Sequence, residues 1–469
     1  MKNTQIIDFK NTERLSVKQM LFLVIKLSIP AILAQLTTVV MQYIDAAMVG
    51  SIGANASAAI GLVSTSTWLL NGLCSSLAIG FSVQIAQLVG SNRDGDARNV
   101  FRQALVICLS FALFVSALAS LISPFLPKWL GGKKEILNDS SKYFLIFALA
   151  IPATSLRMIC ANSMQCSGDM KTPSILNMNM CLLDVVFNFF LIYPTRTISL
   201  FGLKFNLIGA GMGVVGAGLG TLLADYVTAI LMLLLIMFKS NKLRFKLGGS
   251  WKLRKTTIKT ALKISLPAAF EHSIMCTAYI CATIITAPLG TVAIAANSLA
   301  VTAESFCYMP GFGIGSASTT LIGQSLGAKR KDLAKRFSRT AIVLGVAVMS
   351  AIAVIMYILA PSIFKLLSSD TDVRALGAKM LRIVAFAEPL YAASIVCMGS
   401  LRGAGDTFIP GILNLASMWG VRITLSFILV PKLGLHGIWL AMTIELCFRG
   451  IIFLIRTLRG KWLNKQLEM

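Results

Sequence analysis

Apolar runs of about 20 residues or more recur along this chain from near Leu21 to Arg456, about twelve in all. A hydrocarbon layer about 30 Å thick is crossed by a helix of about 20 apolar residues. Inside it every backbone N–H and C=O must be satisfied within the protein, which leaves helices and closed barrels as the possible spanning structures. Runs of this length read as helices, so the chain is expected to be an all-α polytopic membrane protein. The expected spans are 18–48, 56–88, 99–126, 140–165, 172–193, 208–238, 259–287, 293–322, 338–364, 377–399, 409–430 and 435–456. Composition agrees: of 469 residues, 56% are hydrophobic and 13% charged, against roughly 25% charged in an ordinary soluble domain.

The net charge of +24 would suggest a nucleic-acid partner in a soluble protein. Here it follows the topology. With both termini in the cytoplasm, the inside segments hold about 28 Lys and Arg and the outside loops about 10, as the positive-inside rule requires. The partner of this charge is the lipid bilayer and not nucleic acid. Basic residues concentrate in "KSNKLRFKLGGSWKLRK" (239–255) and "GAKRKDLAKRFSR" (327–339). Asp8, Lys10, Glu13 and Arg14 precede an apolar stretch too long for a signal-peptide core, so no cleavage is expected. Ten scattered cysteines form no CxxC pair, and His272 and His436 are the two histidines. No cofactor and no resident metal site is expected, and the chain does not read as an enzyme.

The sequence is a duplication. Pro30 in "KLSIPA" matches Pro267 in "KISLPA", 237 positions on, and the same shift takes Gln87 to Gln324, Gly90 to Gly327 and Arg93 to Arg330. It also takes Pro152 to Pro389, Asp169 to Asp406, Pro173 to Pro410 and Asn177 to Asn414. After Pro194 the offset becomes 221, so the first half carries 16 extra residues near "TRTISLFGLKFNLIGA". An even number of spans per half makes both halves enter the membrane in the same direction. They should be two six-helix bundles related by a pseudo-two-fold axis along the membrane normal, with a substrate site between them. The expected layout is an N-terminal segment 1–17, an N-lobe 18–238, a basic linker 239–258, a C-lobe 259–456 and a tail 457–469.

Features shared by both halves read as scaffold. "SGDMKTP" and "AGDTFIP" place Asp169 and Asp406 just before a helix, where a carboxylate caps free N–H groups. The intramembrane acids are different, because none recurs: Asp45 matches Ala282, Asp184 matches Val421, Glu271 matches Ala34, Glu304 matches Thr67 and Glu388 matches Ile151. A charge at the bilayer centre costs roughly 2.5–3.5 kcal/mol on insertion scales, so an intramembrane acid is a functional candidate. Gln35, Thr38, Gln42 and Asp45 step by three, four and three and share one helix face. Hydrogen bonding to neighbouring helices would explain the amides and the threonine, whereas a carboxylate is a costlier way to gain such a bond. Asp184 and Asn188, four apart, also share a face and could hold a proton or present oxygens to a small cation. Glu271 follows Pro267 by four residues, where a proline frees a backbone carbonyl. Glu445 lies four residues before Arg449, the order of a structural helical ion pair. The reading is cation coupling by Asp45, Asp184, Asn188 and Glu271, with Gln35, Thr38, Gln42, Glu304 and Glu388 as cavity candidates. Burial disfavours the ionised form of a carboxyl group and a nearby cation favours it. A proton or Na⁺ and an organic cation competing for one acid are therefore enough for antiport.

"YIDAAMVGSIG", "MPGFGIGSASTTLIGQSLGA" (309–328), "GSLRGAGDT" (399–407) and "WGVRITLSFIL" (419–429) resemble bacterial members of the multidrug and toxic compound extrusion (MATE) family over nearly the whole chain. The resemblance implies two six-helix bundles and a central cavity open to one side at a time. It also implies export of amphipathic, cationic small molecules in exchange for H⁺ or Na⁺, by a monomer in the bacterial inner membrane. By position, Asp45 resembles the family's first-helix coupling aspartate. Asp184 and Asn188 resemble its fifth-helix pair in reversed order, and Glu271 its seventh-helix glutamate. The nearest rival is a flippase for lipid-linked precursors, which would line its cavity with several Arg or Lys. Midmembrane charge that is mostly acidic favours cationic cargo instead.

Overall fold

A computed structural model describes residues 15–200, 203–245, 251–465 and 467, with side chains of 196–208 left aside. Most of the expected N-terminal segment, part of the linker and the end of the tail lie outside these residues. The spanning helices are α1 (Val17–Gly50), α2 (Ala54–Gly90), α3 (Asp94–Ile122), α4 (Lys134–Cys166), α5 (Lys171–Ile192) and α6 (Gly213–Lys239). Then come α7 (Lys255–Thr286), α8 (Thr291–Gly327), α9 (Lys331–Leu367), α10a (Thr371–Ala385), α10b (Glu388–Gly403), α11 (Phe408–Leu433) and α12 (Leu435–Leu458). Among the described residues 11 helices are long and apolar enough to cross a membrane, and 12 spans result when α10a and α10b count as one.

The repeat is visible in the helix starts. Ala54, Asp94, Lys134 and Lys171 open α2, α3, α4 and α5, and Thr291, Lys331, Thr371 and Phe408, 237 positions on, open α8, α9, α10a and α11. The two halves depart from each other in three places. The extra segment of the first half, part of which the sequence assigns to the sixth span, forms an antiparallel hairpin of β1 (Pro194–Leu200) and β2 (Leu203–Ala210). It is the exception to an all-helical reading. Helix α4 runs unbroken through Pro152, whereas its counterpart bends by 58° between Ala385 and Glu388, with Pro389 at the start of the second piece. Proline fits a helix's first turn because its missing N–H has no partner to lose there. Helix α11 contains a π-helical stretch, Met418–Ile423, that α5 lacks.

The two ends of the bundle differ. Arg336 donates to the Leu15 carbonyl (2.8 Å) and Lys331 to Asn464 (2.7 Å), so the described parts of both chain ends meet the start of α9. At the start of α3, Lys242 pairs with Asp94 (3.1 Å), and the Arg254 N–H donates to Gln103 (2.7 Å). This is the linker end. Several of its charges tie helix ends together.

The lobes meet along α1 with α8 and α2 with α7. Near the linker end α2 and α8 cross in a reciprocal contact: a Cβ on Gly90 would stand 2.0 Å from the Gln324 carbonyl oxygen, and one on Gly327 would stand 1.9 Å from that of Gln87. The amide of Gln87 donates to the Gly403 carbonyl (3.4 Å) and that of Gln324 to the Cys166 carbonyl (2.8 Å). All four pairs map onto one another by the 237-residue shift, so the pseudo-two-fold axis passes through this crossing. Gly80 meets the Ala261 backbone in the same way, at 2.4 Å from its carbonyl oxygen. Small residues let helices approach this closely in lipid, where van der Waals packing and not water exclusion drives association.

Gly90→Ala and Gly327→Ala should each lower stability by about 1–3 kcal/mol, the usual range for overpacking. Gly61→Ala, where a Cβ meets nothing within 4 Å, should be neutral or slightly stabilising. Thermal unfolding of the purified variants in detergent checks the contrast, and equal midpoints for all three would contradict it.

Candidate functional site

Helix α1 brings Asp45 beside α5, and α5 presents Asp184 and Asn188 one turn apart. The Asn188 amide donates to the Asp45 carboxylate (3.0 Å) and to the Asp184 carboxylate (3.1 Å), so one side chain bridges two acids on different helices. Asp184 and Asn188 are buried and Asp45 is half-buried. Asp184 Oδ1 and Asn188 Oδ1 are buried and have no hydrogen-bond partner among the described residues. The wall behind them is glycine: a Cβ on Gly220 would lie 2.1 Å from Asn188 Oδ1, and one on Gly216 would lie 2.5 Å from the Leu191 carbonyl oxygen. Gly216 and Gly220, one turn apart on α6, are what allow α5 to carry an amide here. Further down the polar face of α1, Thr38 donates to the Ala34 carbonyl of its own helix (2.9 Å), Gln35 is half-buried and Gln42 exposed.

Glu271 stands apart from this trio, in the other lobe. Its carboxylate accepts from the Asn414 amide (2.5 Å) and faces the Arg402 guanidinium at 3.7 Å. These residues border a cavity of about 510 Å³ between the lobes. Trp68 from α2 and Tyr279, Phe312 and Tyr391 from the C-lobe form aromatic walls, and Glu271, Arg402 and Arg449 carry the formal charge. This wall therefore holds two arginines and one acid. His272 also lies here, with its ring where a Cβ on Gly72 would be (1.7 Å) and Nε2 3.2 Å from the Trp68 carbonyl oxygen.

Five expected cavity residues do not border this space: Gln35, Thr38, Gln42, Glu304 and Glu388. Glu304 and Glu388 sit inside the C-lobe, both buried, and neither oxygen of Glu388 has a hydrogen-bond partner among the described residues. The bend in the tenth span is the reason for Glu388. It makes that residue the first of α10b, where a carboxylate gains from the helix dipole.

Other charged residues serve the frame. Asp225 is held by Arg157 (2.6 Å) and the Thr154 hydroxyl (2.6 Å), and Glu445 by Arg449 (3.1 Å) and the Ser417 hydroxyl. Asp169 accepts from the Thr172 N–H (3.0 Å) as a helix cap. Its repeat partner Asp406 does something else: fully buried, it accepts from Arg456 (2.7 Å) and Lys465 (2.6 Å) and clamps the tail. The repeat thus kept the residue and changed its task. Arg422, in the π-helical stretch, pairs with no acid among the described residues; it donates to Met442 Sδ (2.9 Å) and lies over the Tyr279 ring (5.9 Å). Sequence reading missed Arg402, Asn414 and the Gly216/Gly220 face. Their signals were present: Asn414 belongs to the repeat, the two glycines have helical spacing, and Arg402 replaces the Gln165 of the first half.

The family model MatE matches residues 30–190 and again 267–428, once in each repeat and starting at the paired prolines. The chain is similar to the probable multidrug resistance protein NorM of Thermotoga maritima, 24% identical over 93% of this chain and 92% of that one. It is also similar to the probable multidrug resistance protein NorM of Mannheimia succiniciproducens, 26% identical over 92% of each. Its fold matches a crystal structure of MATE in complex with MaD3S with a TM-score of 0.88, 19% identity, and coverage of 99% of this chain and 100% of that one.

Frame acids and site acids should separate in stability. Arg157→Leu leaves Asp225 buried without its counterion and should cost about 3–5 kcal/mol, while Asp45→Asn, an isosteric change at a half-buried position, should cost less than about 1 kcal/mol. Unfolding midpoints in detergent measure both. A loss at Asp45 as large as that at Arg157 would place Asp45 in the frame.

Proposed function

Because the chain belongs to the MatE family of multidrug efflux transporters, which are transporters rather than enzymes, we propose that it is a secondary active exporter. It carries amphipathic small molecules across the bacterial inner membrane in exchange for H⁺ or Na⁺, with both termini cytoplasmic. The observation that carries the coupling is the Asn188 bridge between Asp45 and Asp184.

Two carboxylates beside one amide repel each other strongly in a low-dielectric interior, and a single cation between them removes the repulsion. A proton needs only the two carboxyl groups. Na⁺ needs several oxygens, and Asp184 Oδ1 and Asn188 Oδ1 supply two without existing partners. Either ion changes the charge between α1 and α5. Helix α1 is also a cross-lobe helix: Ile32 packs on Gly313 of α8, and Tyr43 stacks on Phe306 (5.9 Å). Loading the ion site thus acts on a helix that belongs to the seam between lobes, which is where alternating access has to be switched. Glu271, already facing a guanidinium, takes its part in the cavity rather than in this ion site. A flippase reading is less well supported, since a row of basic residues for a diphosphate headgroup is not what borders the cavity.

Purified protein in vesicles should move a fluorescent amphiphile when a pH gradient or a Na⁺ gradient is imposed, with the two controlled independently. Asp45→Asn and Asp184→Asn should each slow gradient-driven transport at least about tenfold, the size expected when a charge-assisted contact worth about 1.4 kcal/mol is removed. Transport that responds to neither gradient would refute antiport. Normal rates in both variants would refute this ion site.

A further inference from the structure

The charge pattern of the cavity points to a class of cargo different from the organic cations suggested by the sequence. Arg449 is committed: it pairs with Glu445 at 3.1 Å, is buried, and lies over the Tyr391 ring at 5.1 Å. Glu271 is largely committed too, with Oε1 held by Asn414. Arg402 is not. Its guanidinium approaches Glu271 at 3.7 Å, beyond direct hydrogen bonding, and makes no hydrogen bond to any described residue. A guanidinium has five N–H donors in a planar fork suited to a carboxylate. Its side chain is 29% exposed and lines the cavity between the lobes. The N-lobe counterpart, Gln165, is a neutral amide, so the repeat frame does not require a cation there.

We infer that the cavity takes a flat aromatic ligand bearing a carboxylate, with the carboxylate on Arg402 and the ring system between Trp68, Tyr279 and Phe312. The volume of about 510 Å³ lies in the range of a drug-sized ligand, about 300–1,000 Å³. Met158, Met275 and Met398, which line the same cavity, are adaptable side chains that suit ligands of varied outline. Glu271 then has a definite effect: it competes with the ligand for Arg402, weakening binding enough for release. The inference rests on the reading of this space as the cargo site of an exporter.

Equilibrium binding without any ion gradient tests the cargo class separately from coupling. Three matched probes, 1-naphthaleneacetate, 1-naphthylmethylammonium and 2-(1-naphthyl)ethanol, are titrated into the purified full-length protein and followed by tryptophan fluorescence. The acetate should bind at least threefold more tightly than the ammonium. Arg402→Gln should weaken the acetate about tenfold, the effect of losing one charge-assisted contact, and change the neutral alcohol less than twofold. Arg402→Lys should retain the preference in weakened form, and Glu271→Gln should strengthen acetate binding. Tighter binding of the ammonium to the unmodified protein, no measurable binding of the acetate, or unchanged acetate affinity in Arg402→Gln each overturns the inference. The comparison of probes on the unmodified chain stands even if a variant does not fold. Failure here with intact gradient-driven transport would leave antiport standing and remove only the anionic cargo.

Discussion

The crossing of α2 and α8 is the contact on which the rest of the molecule depends. Gly90 lies on the Gln324 backbone and Gly327 on the Gln87 backbone, and the amides of the two glutamines reach to carbonyls at equivalent places in the opposite lobe. A contact between two copies of one patch is self-complementary, as in a two-fold dimer. Here both copies lie in one chain. The arrangement brings backbones too close for any side chain at these positions, and it holds one end of the lobe interface while leaving a cavity between them.

On this symmetric frame the chemistry is asymmetric. The N-lobe has two acids under one amide, backed by Gly220, whose counterpart in the C-lobe is Ala441. The C-lobe has a bent tenth span, a π-helical eleventh, a fully buried Glu388 and a cavity wall with Arg402. The repeated asparagines show how one position diverged. Asn177 accepts from Arg157 (3.2 Å) inside a structural ion cluster, while Asn414 donates to Glu271 at the cavity. Duplication supplied the same polar anchor twice, and neighbours that differ between the halves gave it two tasks.

How much was legible in sequence follows from the range of the forces involved. Spans and the two lobes were legible because hydropathy and an ungapped repeat are local or periodic signals. The association of Asp184 with Asn188 was legible because four residues make one helical turn. That Asp45 joins them was not, since the bridge spans 143 positions and depends on how α1 and α5 pack. That Glu388 begins a separate helix was not legible, because Pro152 and Pro389 look alike in sequence, yet one sits inside a continuous helix and the other in the first turn of a new one. The place of Arg402 on the cavity wall was not legible for a related reason. Acids stand out in apolar spans, whereas Arg402 lies at a helix end next to a turn, where a basic residue looks like an ordinary member of the cytoplasmic edge.

That position of Arg402 bears on how cargo and ion communicate. Arg402 directly precedes Gly403, whose carbonyl accepts from Gln87 across the seam, and Gly403 itself would carry a Cβ 2.5 Å from the Thr319 carbonyl oxygen. A ligand that draws on the Arg402 guanidinium therefore pulls on the residue next to the cross-lobe crossing. Asp45 acts on the same interface through α1, by way of Ile32 and Tyr43 against α8. In the proposed exchange, ion and cargo thus load separate sites that bear on one interface, and neither needs to touch the other. Competition for a single acid is then unnecessary for exchange: it suffices that each load favours a different arrangement of the same packed contact, because close-packed interfaces switch between discrete states rather than deform continuously.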